Sequence, residues 1–385
     1  MVNNQLPTEW SDSKNVRWFS KIPGLGWSSP VVANHRIYVT TSVAVSDDPK
    51  LLGAEQQLRL ICLDSRDGNV LFDRQVLEQN KDAPKVHTKN SHSSPTPVVD
   101  GNQLFLHFGH QGTVATDLDG NIVWTNCENT YAPTHGNGSS PIIVDNLLIL
   151  TCDGGDTPCT RALDKQSGKE VWRTLRNVEA ERKFSFCTPS IFKIGERDQL
   201  ISPGSNIVQS LDPKNGSVLW FVKYDGYSVV PKPILHQGLV FVCTGFGPTT
   251  LLAIDPNGNG DVTDSHVRWS FKSPNVPKTS SLVGYRNQII MSSDQGIGSA
   301  VDCTSGQELW KKRLGGNYSA SPLLNGDFIY FQSEQGETTV MKLGREPQEI
   351  SKSALPGRIF ASFAVIDNDF LIRAEDGLYR IGRRP

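Results

Sequence analysis

From Trp27 onward the apolar positions fall in short paired runs, with none of the three-and-four spacing that marks an amphipathic helix. Ser28-Ser29-Pro30 leads into Val31-Val32, a polar turn at Asn34-His35, and a second run, Ile37-Tyr38-Val39. The same order returns at Thr96-Pro97, with Val98-Val99 and Leu104-Phe105-Leu106, and at Ser140-Pro141, with Ile142-Ile143-Val144 and Leu147-Leu148-Ile149-Leu150. Weaker copies begin at Pro189-Ser190, Pro233, Ser281-Leu282, Ser321-Pro322 and Ser362-Phe363. Each predicts an inner strand, a tight turn and a second strand. The eight units are spaced by about 45 residues, which suits blades of four strands.

The second half of the unit has its own signature. Ala162, Asp164, Gly168 and Trp172 recur in register as Ser210, Asp212, Gly216 and Trp220, and again as Ala300, Asp302, Gly306 and Trp310. Asp and Gly predict a tight turn, the small residue admits close approach, and Trp supplies a large apolar plate with one donor. Trp124, Trp172, Trp220, Trp269 and Trp310 close units two to six, with Phe72 in that place in unit one and Ile350 in unit seven. The eighth unit stops after Gly377-Leu378-Tyr379-Arg380-Ile381 with three strands, and Val16-Arg17-Trp18-Phe19 near the start supplies the fourth. The expected fold is an all-β, eight-bladed β-propeller of four-stranded antiparallel blades, closed by the N-terminal strand so that no edge is left open. The expected organisation is an irregular segment over 1–15 and one propeller domain over 16–385.

Composition narrows the function classes. Thirty-eight Lys+Arg against 40 Asp+Glu gives a net charge of -2 with no dense basic run, so electrostatic capture of nucleic acid is not indicated. No apolar run approaches the roughly 20 residues of a spanning helix, and the first residues show no charged-then-apolar leader pattern. The seven cysteines form no CxxC pair, which removes the usual structural zinc site. Cys152 and Cys159 flank a hairpin tip, where they would either bridge or serve as two free core thiols.

The repeated AxDxxxGxxxW turns resemble the tryptophan-docking repeats of the pyrroloquinoline quinone (PQQ) propeller superfamily, over nearly the whole span from Val16 to Ile381. Segments such as Lys89-Asn90-Ser91-His92-Ser93-Ser94-Pro95-Thr96-Pro97 and Gly226-Tyr227-Ser228-Val229-Val230-Pro231 are similar to a bacterial, BamB-like subgroup. That resemblance implies a scaffold, monomeric and in the periplasm or cell envelope, that binds a protein or peptide partner. The quinoprotein dehydrogenases of the superfamily imply an oxidoreductase with PQQ and calcium instead. Their adjacent cysteine pair has no counterpart in this sequence, which argues against PQQ.

In a four-stranded blade the links into the inner strand and between the second and third strands open on one face, around the channel, where functional loops are expected. His87, His92, His110 and His135 fall in such links, with Asp153 and Asp156 close by. They could bind a ligand or a transition metal, or be separate histidines bonded to backbone, which the lack of a fixed ligand spacing favours. Trp27, Tyr227, Tyr318 and Phe360 stand at inner-strand starts as a candidate aromatic rim. Long links over 42–57 and 74–91 are expected to wall a groove. Lys232 precedes an inner-strand proline where the other units read Ser, Thr, Ser, Pro, Ser, Ser and Ser, so it either receives an anion in the channel or reaches past it to water. Asp255, Asn257, Asn259 and Asp261 alternate as in a calcium loop, but His266 takes the place of the bidentate Glu, leaving a plain polar turn as the alternative.

Overall fold

The computed structural model describes residues 6–45, 55–80, 83–128 and 130–383. Its strands form eight sheets, each built on an antiparallel meander of four strands, seven of them in chain order, and together they make the predicted eight-bladed propeller. Blade 1 runs from Val31–Ala33 through Arg36–Ala44 and Gln56–Asp64 to Val70–Gln79. Blades 2 to 7 repeat this plan, with inner strands starting at Val98, Ile142, Ser190, Ile234, Val283 and Leu323. Blade 8 takes its first three strands from Ala364–Ile366, Asp369–Ala374 and Gly377–Ile381, and its outermost from Val16–Lys21. Phe19 pairs with Tyr379, and Lys21 with Gly377, so the two ends of the chain close the ring.

The second and third strands of each blade are apolar on both faces because a blade is covered by a neighbour on each side. Ile149, Leu150, Ala162 and Leu163 in blade 3 are fully buried. Outer strands alternate instead: in Glu170–Leu175 only Trp172 is buried.

The recurring tryptophans fasten blade to blade. Trp124 donates its indole N–H to the Lys165 carbonyl (3.0 Å), Trp172 to Pro213 (3.2 Å), Trp269 to Cys303 (3.2 Å) and Trp18 to Ser65 (3.1 Å). In each case the acceptor belongs to the Asp–Gly turn of the next blade. The ring lies flat on that turn's glycine. A Cβ on Gly168 would stand 2.5 Å from Trp124, and one on Gly216 2.5 Å from Trp172.

Four features were not legible beforehand. Residues 6–15 are irregular but packed: Leu6 and Trp10 are buried, the Trp10 ring lies 5.4 Å from Phe370, and the Trp10 backbone N–H donates to Ser353 Oγ (2.9 Å). The long links of blade 1 begin later than expected, since Arg36–Ala44 and Val70–Gln79 carry strand into them; 46–54 and 81–82 lie outside the described residues. In unit four the residue matching Ser140 is Thr188 rather than a proline, because Pro189, and not Ser190, stands where Pro141 does. The 255–264 segment adds Gly260–Asp261 as a parallel fifth strand beside Trp220 and Phe221 of blade 4, and tucks Val262 into the core behind them.

Candidate ligand site at the channel mouth

Each inner strand begins at the channel, and the residue before its proline faces the next blade. The backbone N–H at that position donates to the hydroxyl at the same position one blade on: Ser29 to Thr96 (3.0 Å), Thr96 to Ser140 (2.9 Å), Ser140 to Thr188 (2.8 Å). The series resumes from Lys232 to Ser281, Ser281 to Ser321 and Ser321 to Ser362, each at 3.0 Å, and Ser29 Oγ returns to the Ser362 carbonyl (3.1 Å). The result is a girdle of hydroxyls in which Lys232 is the one departure. Its N–H continues the series, but its ammonium replaces the acceptor that Thr188 would otherwise meet.

Above the girdle the channel widens into a cavity of about 980 Å³. Two aromatic groups face each other across it. Trp27 and Phe360, from the links flanking blade 8, have ring centroids 4.6 Å apart. On the side of blades 4 and 5, Phe184 meets Tyr227 edge-on at 5.9 Å, and Tyr227 lies 6.1 Å from Phe246. His135 completes this second group, 5.2 Å from Phe184 and 5.6 Å from His87. Burial, and then the neighbouring His87, lower the His135 pKa below the ordinary imidazole value.

Cations accompany both groups. The Arg182 guanidinium sits 4.5 Å above the Tyr227 ring and bonds its hydroxyl, and Lys278 Nζ lies 5.0 Å over Phe246. Arg358 covers Phe360 at 5.7 Å while bonded to Glu375 (2.9 Å). Lys232 reaches channel water, yet the protein packed around it leaves its ammonium partly desolvated, and that lowers its pKa from the ordinary lysine value. Lys89, from the link between blades 1 and 2, crosses to Glu334 of blade 7 (2.8 Å) and holds that link against the mouth. Among the described residues the cavity lining holds Lys89, Arg182, Lys232 and two histidines, and no Asp or Glu.

The sequence-selected residues are thus divided. Trp27, His135, Tyr227, Lys232, His87 and Phe360 line one cavity. His92 is buried beside Gln79 with Nδ1 unpartnered, and desolvation pushes its pKa down to about 4. His110 bonds Gln111 (2.8 Å) and lies 3.4 Å from Asn137, outside the cavity lining. Tyr318 is fully buried in the core between blades 6 and 7, because its side chain turns from the inner-strand link into the blade interface. Asp153 is buried in a bidentate pair with Arg176 (3.0 Å for both bonds), which also binds the Ser202 carbonyl (2.7 Å). Cys152 and Cys159 do face each other across the hairpin, and both thiols are free.

The 255–264 carboxylates already have partners. Asp255 accepts from Asn257 and pairs with Arg268; Asp261 accepts from Thr263 (2.6 Å) and Lys223 (3.1 Å). Among the described residues no group of three or more His, Cys, Asp or Glu is placed to hold a metal ion. Arg182, Phe184, Phe246 and Arg358 escaped sequence reading because they stand in irregular links that follow no repeat.

The sequence profile of the family described as outer membrane protein assembly factor BamB matches residues 10–181 and 204–354, well over half of the chain. The chain belongs to that family. BamB of Moranella endobia (strain PCIT) is 23% identical over 202 residues, which are 48% of this chain, and the chain spans about half (50%) of the length of that relative. Among solved structures, BamB from Moraxella catarrhalis superposes with a TM-score of 0.65 at 15% identity, covering 96% of this chain and 97% of its own. The computationally designed Ika8 protein (0.64, 10% identity, 98% and 100% covered) and a europium-containing methanol dehydrogenase (0.65, 10%, 96% and 88%) share the architecture equally well. Fold likeness at these identities reaches an assembly factor, a designed protein and a dehydrogenase alike, so function has to be argued from the mouth of the channel.

Proposed function

We propose that the chain is a non-catalytic propeller scaffold of the bacterial cell envelope that binds a protein or peptide partner on the channel-opening face, in the assembly of outer membrane proteins. Family membership supports the setting. The observation that carries the binding face is the mouth itself, where two aromatic groups and several cations surround one open cavity of about 980 Å³. Aromatic and arginine side chains that line a concavity are the residue types that carry most binding energy at protein interfaces. A quinoprotein centre fits these residues poorly. It would need carboxylates for a metal and for proton abstraction, and the described lining of the cavity has none.

The reading is tested by placing a photo-crosslinking residue at Tyr227 or Phe360, and at Val123 on the outer edge of blade 2, in the organism that encodes the chain. Crosslinks to envelope assembly proteins from the two mouth positions, and not from Val123, are expected. Crosslinks only from the outer edge, or dye-linked substrate oxidation on reconstitution with PQQ and calcium, would overturn it.

A further inference from the structure

The mouth carries a charge that the chain does not. Overall the protein is slightly acidic, with a net charge of -2, yet the described lining of the cavity is cationic. Two acidic side chains of the surrounding links are occupied: Glu334 accepts from Lys89 (2.8 Å) and Ser319 (2.6 Å), and Asp294 accepts from Thr279 (2.8 Å). Among the described residues no carboxylate pairs with Arg182 or Lys232, so these two cations are unneutralised at the rim and at the floor.

Geometry adds direction. Eight blades in chain order place blade 8 opposite blade 4. Trp27 and Phe360 stand in the links flanking blade 8, and Phe184 and Tyr227 in the links flanking blade 4, with Phe246 of blade 5 beside Tyr227. The cavity is therefore a clamp with two aromatic jaws and a single ammonium at its base, at the only girdle position without a hydroxyl. The girdle hydroxyls already accept backbone N–H groups from the preceding blade, which leaves a guest chiefly their O–H donors and so suits an acceptor such as a carboxylate.

We infer that the partner enters as an extended peptide segment carrying a carboxylate next to large aromatic or apolar side chains, with the carboxylate on Lys232 and the apolar groups between the jaws. Charge complementarity selects the carboxylate, and the place of Lys232 at the base of the cavity makes that contact more selective than one at an open surface. Arg182 steers the segment into the mouth. The inference rests on the partner-binding reading above, and it assigns the partner's chemistry.

The test is selection of a random displayed peptide library on the full chain, followed by affinity measurement of the best peptide. Selected sequences are expected to be enriched in Asp or Glu beside Phe, Tyr or Trp. Lys232→Ser, which places at this position the residue that most other blades carry, is expected to weaken the best peptide about tenfold or more, and Lys232→Arg to retain most of the affinity. Replacing the peptide's acid by its amide should match the loss in Lys232→Ser and add nothing to it. Peptides without acidic enrichment, or equal affinity for Lys232→Ser, would overturn the inference while leaving a peptide-binding face standing. Recovery of no peptide, with benzoate binding at the same lysine, would overturn it in favour of a small-anion site. Absence of crosslinks from the mouth is the separate result that removes the underlying reading.

Discussion

The Trp220 indole N–H donates to Gln199 Oε1 at 2.8 Å, and the same amide's Nε2 donates onward to the Pro256 carbonyl of the next blade at 3.1 Å. Trp310 and Gln288 repeat the arrangement, at 3.0 Å, towards Gly344. Both Gln residues occupy the same place, two positions before the second-strand residue that pairs with the start of the inner strand. In neither following blade does the turn keep Asp and Gly four residues apart, since Asn259 stands four after Asp255 and Lys342 holds the Asp place in blade 7, and the tryptophan reaches the turn carbonyl through the glutamine. Glutamine, a donor and an acceptor in one side chain, relays the bond across the gap.

Gln199→Leu should therefore orphan three buried groups at once, since the Ser210 hydroxyl also donates to Gln199 Oε1 at 2.9 Å. An unsatisfied buried polar group costs about 1–3 kcal/mol, so a loss of about 2–4 kcal/mol is expected in urea unfolding. Gln103 holds the matching place in blade 2, where Trp124 bonds Lys165 directly. Gln103→Leu is expected to cost under about 0.5 kcal/mol, as surface changes usually do. Equal losses for the two variants would disprove the relay.

Gly168 distinguishes conformational strain from contact. Its φ is +71° and a Cβ would lie 2.5 Å from Trp124, whereas Gly101, at φ +55°, has nothing within 4 Å. Gly101→Ala pays only for the left-handed backbone, about 1 kcal/mol, while Gly168→Ala must also displace the indole and should lose about 3 kcal/mol. Melting of the two variants side by side separates the contributions.

The fully buried Asp153–Arg176 pair ties blade 3 to blade 4, and Arg176 fills its space so tightly that a Cβ on Gly204 would stand 2.7 Å from Nε. Arg176→Met leaves a carboxylate buried without its cation, and about 3–5 kcal/mol should be lost. Adding Asp153→Leu removes that charge and is expected to restore at least half of the loss. A double variant no more stable than Arg176→Met would show that the pair matters for its hydrogen bonds to the Ser202 and Pro203 carbonyls instead.

What could be read beforehand follows from these contacts. Ring closure, blade count and the tryptophan fasteners were legible because Trp172 needs Gly216, and Trp124 needs Gly168, as Trp269 needs Gly306, so in the copies that keep the turn the constraint is written at a fixed spacing. The relays were not, since Gln199 and Gln288 look like ordinary polar strand residues until the altered turn in the next blade is known. Tyr318 and Tyr227 both stand near inner-strand starts, and only backbone direction decides that one enters the core while the other lines the mouth. The calcium-like spacing at 255–264 reflects turns and ion pairs that attach a fifth strand to blade 4. Arg182 and Phe184 reach the cavity from an aperiodic link, which no repeat could reveal.

Two buried histidines set the acid limit of stability. Desolvation lowers His92 to about 4 and His107 to about 3 from an ordinary value of 6.5, and His107 shares its Nδ1 with Thr113 Oγ1 at 2.9 Å. Both are neutral in the folded chain and protonate when it unfolds. The unfolded state thus binds more protons below 6.5, and stability is present above that value and lost as pH falls towards 4 and 3. Each group should cost about 2 kcal/mol on going from pH 8 to pH 5. Because carboxylates also titrate at the acid end, the informative quantity is the difference from a His92→Gln, His107→Gln variant. Urea midpoints of the wild type should fall more steeply between pH 6.5 and pH 5 than those of the variant. Parallel curves would mean that both imidazoles gain solvent or a partner when charged, and that acid reaches both faces of blade 2 without unfolding it.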